Sequence, residues 1–173
     1  MVKTSNFYSG NIADVIFERL LQYDYLANPV KLVPATAQSL PVIKKNGQVY
    51  TFKIKSGIYF TDDPAFKGKR RELVAEDYVY AVKRILDPKN HAPSFSFIDN
   101  KLLGANALVE QANKTGEFDY DAPIEGVKAL DKYTIQFTLT QPDYNFPYIL
   151  AYSTFGATAR EVVEYYKDRI GMH

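Results

Sequence analysis

Four carboxylates, Asp62, Asp63, Glu76 and Asp77, lie in the stretch YTFKIKSGIYFTDDPAFKGKRRELVAEDYVYAVKRILDP, from Tyr50 to Pro88. Carboxylate pairs perform general acid–base work when two of them face each other across a substrate and their surroundings split their pKa values. A small carboxylate-dependent hydrolase is therefore one reading. The local pattern offers another. Asp62 and Asp63 precede Pro64, which is turn chemistry. Glu76 and Asp77 fall at a helix start, where the first backbone N–H groups need acceptors.

Other chemistries find less support. There is no Cys, which excludes a disulfide framework, a thiolate zinc site and a Cys nucleophile. His91 and His173 are the two histidines, so a Ser-His-Asp centre or a His-rich metal site would rest on His91 alone. No GxxxxGK[ST] or GxGxxG occurs, and no cofactor is expected. Lys67 to Glu72, KGKRRE, reads as a solvated loop with acids close behind it. Twenty-one Lys plus Arg against twenty Asp plus Glu leave a net charge of +1, which gives no electrostatic reason to expect nucleic acid or an anionic membrane as partner.

Aromatic residues are the richer signal, with fourteen Tyr and eleven Phe. Tyr50, Phe52, Tyr133 and Phe137 alternate along strand-like runs and read as core. Phe7, Tyr8, Phe95, Phe97, Tyr152 and Phe155 fall in irregular stretches. They either fold onto the core or line a ligand cleft, since Tyr combines an apolar face with a polar tip.

The elements that must position these groups are legible from periodicity. Ile12, Val15, Ile16, Leu20 and Leu21 recur at helical spacing, which predicts a first helix fading between Tyr23 and Ala27. Pro34 and Pro41 forbid a long helix next, and Asn46–Gly47 predicts a hairpin turn. Val49 to Lys55 predicts a strand with Tyr50, Phe52 and Ile54 on one face. Ala75, Tyr78, Val79, Val82, Ile85 and Leu86 predict a helix over 75–86, ended by Pro88. A further helix is expected between Phe97 and Ala112, a hairpin from Val127 to Leu139 around Asp131–Lys132, and a last helix over 159–166. The fold class is α+β, mainly antiparallel. No run of about 18 apolar residues exists, and the start shows no apolar stretch of a secretory signal.

The stretch quoted above closely resembles the pattern of family 5 extracellular solute-binding proteins, the oligopeptide, dipeptide and nickel receptors of ABC importers. Tyr50-Thr51-Phe52, Gly57-Ile58, Phe60, Ala75, Asp77, Tyr80, Arg84 and Asp87-Pro88 occupy its places. ADVIFERLLQYD is similar to the family's first helix and GVKALDKYTIQFTLTQP to its hairpin. Val74 departs from the Ser or Thr usual before the helix, which loses a side-chain cap. Tyr80 stands where a small polar residue is common.

The resemblance implies a fragment of a periplasmic-binding-protein-like (type II) two-lobed fold: residues 1–45 a piece of the first lobe, 46–160 the family's accessory α+β domain, and 161–173 the start of the return to the first lobe. It implies no enzyme, but reversible capture of a peptide, nickel chelate, opine or sugar between lobes that close about a hinge. It further implies a membrane permease as partner and a periplasmic or extracellular location. The parts it makes cleft-facing are the loop after Asn6, with Tyr8 and Ser9, and the segment carrying Phe95 and Phe97. A third reading is a protein-interaction module. Loss of a partner lobe would expose apolar surface on the Ile12 to Leu21 segment and favour self-association.

Overall fold

The computed structural model describes residues 16–167. They form two antiparallel sheets and five α-helices. A two-stranded ribbon pairs β1 (Leu21–Asp24) with β2 (Lys31–Pro34), Leu21 opposite Pro34 and Asp24 opposite Lys31. A four-stranded sheet runs in the order β3 (Val42–Lys44), β4 (Val49–Lys53), β6 (Thr134–Thr138), β5 (Val127–Asp131).

The ribbon corrects the first helix. Ile16, Leu20 and Leu21 keep helical spacing in the sequence, but Leu21–Asp24 is a strand. The partner that makes it one lies beyond the turn at Asn28–Pro29, so periodicity within the segment cannot reveal it. Ile12 and Val15, the helix's other markers, lie outside the described residues.

The larger sheet follows the alternation. Tyr50, Phe52 and Ile54 are fully buried beneath Ile135 and Phe137, while Thr51, Lys53 and Gln136 face outward. Phe52 meets Phe137 edge-on at 6.0 Å, and Phe146 closes on Phe137 and Tyr50 at 5.4 and 5.5 Å. Edge-on rings of this kind are worth about 1 kcal/mol beyond their buried area. The β3–β4 turn passes through Asn46 and Gly47, both at positive φ.

α1 (Ala75–Leu86) packs its apolar face on β5 and β6. It has the range its 3.6-residue period predicts. Val74 offers no side-chain acceptor at its start; instead Asp77 reaches back, Oδ2 accepting the Val74 N–H at 2.8 Å. Pro88 halts the helix and opens a short 3-10 turn that Asp87 caps. The expected second helix is two: α2 (Phe95–Ile98) and α3 (Ala105–Thr115), separated by Gly104 at φ 77. α4 (Phe146–Ile149) and α5 (Arg160–Tyr166) complete the chain.

The ribbon is tied to the body at its base. The Tyr78 hydroxyl of α1 meets Thr36 Oγ1 at 2.5 Å, and Thr36 donates in turn to the Arg19 carbonyl at 2.7 Å. The Ala157 N–H donates to the Glu18 carbonyl at 2.9 Å, so the chain passes into and out of the four-stranded body side by side.

Candidate functional site

The four carboxylates do not converge. Asp63 Oδ1 accepts the Ala65 N–H at 2.8 Å and caps the 3-10 turn Pro64–Phe66. Asp62 and Glu76 are exposed. Asp77 is 3% exposed and fully engaged, by the Val74 N–H and by both terminal nitrogens of Arg71. Burial pushes its carboxyl up, against the opposing pull of Val74 and Arg71. Glu76 and Asp77 share a cleft with Arg71, Lys83, Asp121 and Arg160, but Asp77 and Asp121 are held there in ion pairs with Arg71 and Arg160. Arg71 Nε donates to Glu161 at 2.8 Å, and Arg160 pairs with Asp121 and, at 2.6 Å, with Glu164. The Arg71–Glu161 and Arg160–Asp121 pairs pin α5 to the body.

Among the described residues, no group of three or more His, Cys, Asp or Glu is placed to hold a metal ion. His91 is exposed, at the left-handed end of the turn after α1.

The aromatics of the irregular stretches do converge in part. Phe7 and Tyr8 lie, with Ser9, outside the described residues. Phe95 and Phe97 sit on the same short helix but point apart. Phe95 packs against the core beside Leu86 and Val109. Phe97 stays 40% exposed and stacks on Tyr152, centroids 5.3 Å apart and planes 8° from parallel. Tyr152 meets Tyr23 edge-on at 6.1 Å, and Tyr23 lies 6.3 Å from Tyr148. Tyr152 and Tyr148 are 46% and 38% exposed.

Four rings from β1, α2, α4 and the turn after α4 thus form an open platform. It is held from behind: the Tyr23 hydroxyl donates to the Tyr148 carbonyl at 2.9 Å, and Arg19 donates to the Ala151 carbonyl at 3.2 Å. Burial, with Tyr152 and Tyr148 beside it, raises the Tyr23 phenol to about 12, so Tyr23 is neutral throughout the physiological range. Such a surface offers apolar contact and ring stacking to a ligand. Phe97 and Tyr152 were legible as aromatics without a periodic place. Tyr23 was hidden by its apparent helix, and Tyr148 by the short apolar run around Pro147. Phe155, the other unplaced ring, is core.

A mostly apolar groove of about 340 Å³ lies elsewhere, between Phe17, Phe60, Phe66 and Val162. Among the described residues, no helix is long and apolar enough to cross a membrane.

Comparison with known proteins gives a consistent picture. The family profile described as bacterial extracellular solute-binding proteins, family 5 Middle, matches residues 31–169. The oligopeptide-binding protein AmiA of Streptococcus pneumoniae is 34% identical over 125 residues, which are 72% of this chain and 17% of that protein. The periplasmic oligopeptide-binding protein OppA of Escherichia coli is 24% identical over 161 residues, 92% of this chain and 26% of its own length. Among solved structures, the substrate-binding domain of an oligopeptide ABC transporter from Bacillus anthracis superposes with a TM-score of 0.77 at 25% identity, over 99% of this chain and 30% of that one. The pheromone receptor PrgZ gives the same TM-score at 21% identity, also over 99% and 30%, and speaks to the fold alone. The chain therefore spans between 17% and 26% of the length of these curated relatives.

Proposed function

Because the chain belongs to the family 5 bacterial extracellular solute-binding proteins, whose members are binding proteins rather than enzymes, we propose that it serves the solute-capturing component of an ABC importer. In this reading the ligand is a peptide or similar small solute. These residues supply one wall of the cleft, and the part of the relatives' length that the chain does not span supplies the other. Capture is hinged closure, favoured because the ligand binds the closed form more tightly. A membrane permease is the delivery partner, and the location is periplasmic or extracellular.

The observation that carries the reading is the exposed Phe97–Tyr152 stack, backed by Tyr23 and Tyr148. Exposed aromatic clusters of this kind serve as anchors for binding. Phe97 keeps its proposed place facing ligand. Phe95 supports that place by filling the core behind α2. The domain division is proposed with one change. β3 pairs with β4, so the boundary between first lobe and accessory domain is drawn just before Val42 rather than at 45/46. The last division, at 160/161, stays next to the start of α5.

The test is a chimera in which this chain replaces the matching segment of the AmiA protein. Titrated with mixed di- to pentapeptides, the chimera is expected to release heat, and the 173-residue chain alone little or none. Phe97→Ala and Tyr152→Ala are expected to weaken binding about tenfold each, the cost of truncating an anchor of about 1.4 kcal/mol. A folded chimera that binds no peptide would overturn the proposal, as would tight binding by the chain alone.

Self-association of the isolated chain is also proposed, through Ile16 of the first segment, which is 65% exposed, and through the ribbon tip. Leu20 and Leu21 are buried, whereas Tyr25, Leu26 and Val30 at the ribbon tip are 91%, 82% and 60% exposed. Light scattering that shows a pure monomer at high concentration would refute it.

A further inference from the structure

The outward face of the four-stranded sheet carries a group of lysines that solute capture does not use. Lys44 on β3 stands in register with Val49 on β4, which pairs with Thr138 on β6; Lys128 on β5 pairs with Gln136. Three strand spacings, about 14 Å, and a register offset of two residues, about 7 Å, put the two lysine backbones about 16 Å apart, with uncharged residues between them. Lys45 follows in the β3–β4 turn. Together with Glu125 at the rim, these side chains surround a cavity of about 440 Å³, a size that suits a small ligand.

The charges there are unmatched. Among the described residues, the lysine ion pairs are Lys101 with Asp143 and Lys132 with Glu72; Lys44, Lys45 and Lys128 have none. Three ammonium groups against one carboxylate leave an excess of two positive charges within roughly one or two Debye lengths. Of the acids nearby, Asp143 donates its N–H to the Gly47 carbonyl of the same turn but is taken by Lys101 at 2.6 Å, and Asp131 lies at the far end of β5 with Oδ1 accepting the Tyr133 N–H at 2.9 Å. Gln136 and Thr138 add neutral hydrogen-bonding groups to the lining. No aromatic ring lines the cavity, so stacking of a nucleic-acid base has no platform there.

We propose that this face is a binding site for a multiply charged oxyanion of the phosphate type, held by Lys44, Lys45 and Lys128 over Gln136 and Thr138. Flexible, strongly hydrated ammonium groups suit a small anion approached from several sides.

The experiment is an amide-resolved NMR titration of the chain with inorganic tripolyphosphate at low and at physiological ionic strength. Saturable shifts are expected at Lys44, Lys128, Gln136 and Thr138, weakening as salt rises. Lys44→Gln and Lys128→Gln are expected to weaken the apparent affinity about threefold each and about tenfold together, as solvent-exposed charge contacts do. Lys67→Gln with Lys69→Gln, in the basic loop on another part of the surface, is expected to leave it unchanged. Equal shifts at the Lys67–Arg70 loop, or undiminished binding by the Lys44/Lys128 double variant, would overturn the proposal. A second arm distinguishes the source of the phosphate. Sedimentation with phosphatidylglycerol vesicles that depends on Lys44 and Lys128 assigns it to a lipid headgroup; binding of tripolyphosphate without such sedimentation assigns it to a soluble anion.

Discussion

Arg71 and Asp77 meet through two contacts, Nη2 to Oδ1 at 2.7 Å and Nη1 to Oδ2 at 3.2 Å. The same carboxylate accepts the Val74 N–H, and the same guanidinium extends through Nε to Glu161 on α5. One aspartate therefore starts α1, orients Arg71, and through it fixes the last helix. The partners raise the guanidinium pKa of Arg71 despite its partial burial.

Removing that carboxylate leaves a half-buried guanidinium and a helix-start donor unmet. Asp77→Ala is expected to destabilise the chain by about 3 kcal/mol, at the low end for a broken buried pair because Arg71 retains some contact with water. Asp77→Asn keeps an acceptor for Val74 and is expected to cost about half as much. Urea unfolding at constant slope measures both. A loss below about 0.5 kcal/mol for Asp77→Ala would show that Arg71 and Val74 find other partners.

Glu72 gives a pH dependence. Its Oε2 takes Lys132 Nζ at 2.8 Å and its Oε1 the Gly57 N–H at 2.8 Å. Lys132 first, then Gly57, lower its carboxyl to about 2. A depressed carboxyl contributes stability that is complete above its unfolded value and is lost as pH falls toward the folded one. The melting temperature is expected to fall between about pH 4.5 and pH 2, and to fall less steeply in Glu72→Gln. Identical acid profiles for the two proteins would remove Glu72 as a cause.

Tyr78 is a test of the ribbon's attachment. It is 1% exposed, and its hydroxyl reaches both Thr36 Oγ1 and, at 3.3 Å, the Glu18 carbonyl. Tyr78→Phe keeps the packing and removes the bonds, with an expected cost of about 1.5 kcal/mol. Hydrogen exchange is expected to accelerate in residues 19–36 more than in the four-stranded sheet. Uniform acceleration would mean that ribbon and sheet open together.

Gly126 is a test of backbone packing. A Cβ there would stand 2.5 Å from the Leu103 N and 2.8 Å from the Leu102 carbonyl carbon. Both are backbone atoms and cannot rotate away, and Gly126 also donates its N–H to the Leu103 carbonyl at 2.7 Å and accepts the Thr138 N–H at 2.9 Å. Gly126→Ala is expected to destabilise by about 3 kcal/mol. Gly68→Ala, where a Cβ meets nothing within 4 Å, isolates the cost of a positive φ of 74° without a clash and is expected to cost about 1 kcal/mol.

Legibility followed the range of the forces. α1 and the β4 and β6 strands read directly, because their burial is decided by which face of one element meets the core. The β1–β2 ribbon did not, because Leu20–Leu21 is apolar at spacings that suit either state, and pairing with Lys31–Pro34 decides the matter. Gly104 divides the second helix through a backbone conformation that its apolar spacing does not encode. At the site, Phe97 was recognisable because no periodic pattern claimed it. Its neighbours Tyr23 and Tyr148 come from segments 125 residues apart in sequence, joined only by the fold.

The Ala157–Glu18 hydrogen bond has an architectural consequence. Residues 18 and 157 are neighbours, so everything between them leaves and returns through a single doorway. Between two points joined so closely the chain can lengthen or shorten while the segments at the doorway keep their places. Narrow attachment of this kind leaves surfaces far from the doorway, the outer lysines of the sheet among them, free to vary without moving the two ends.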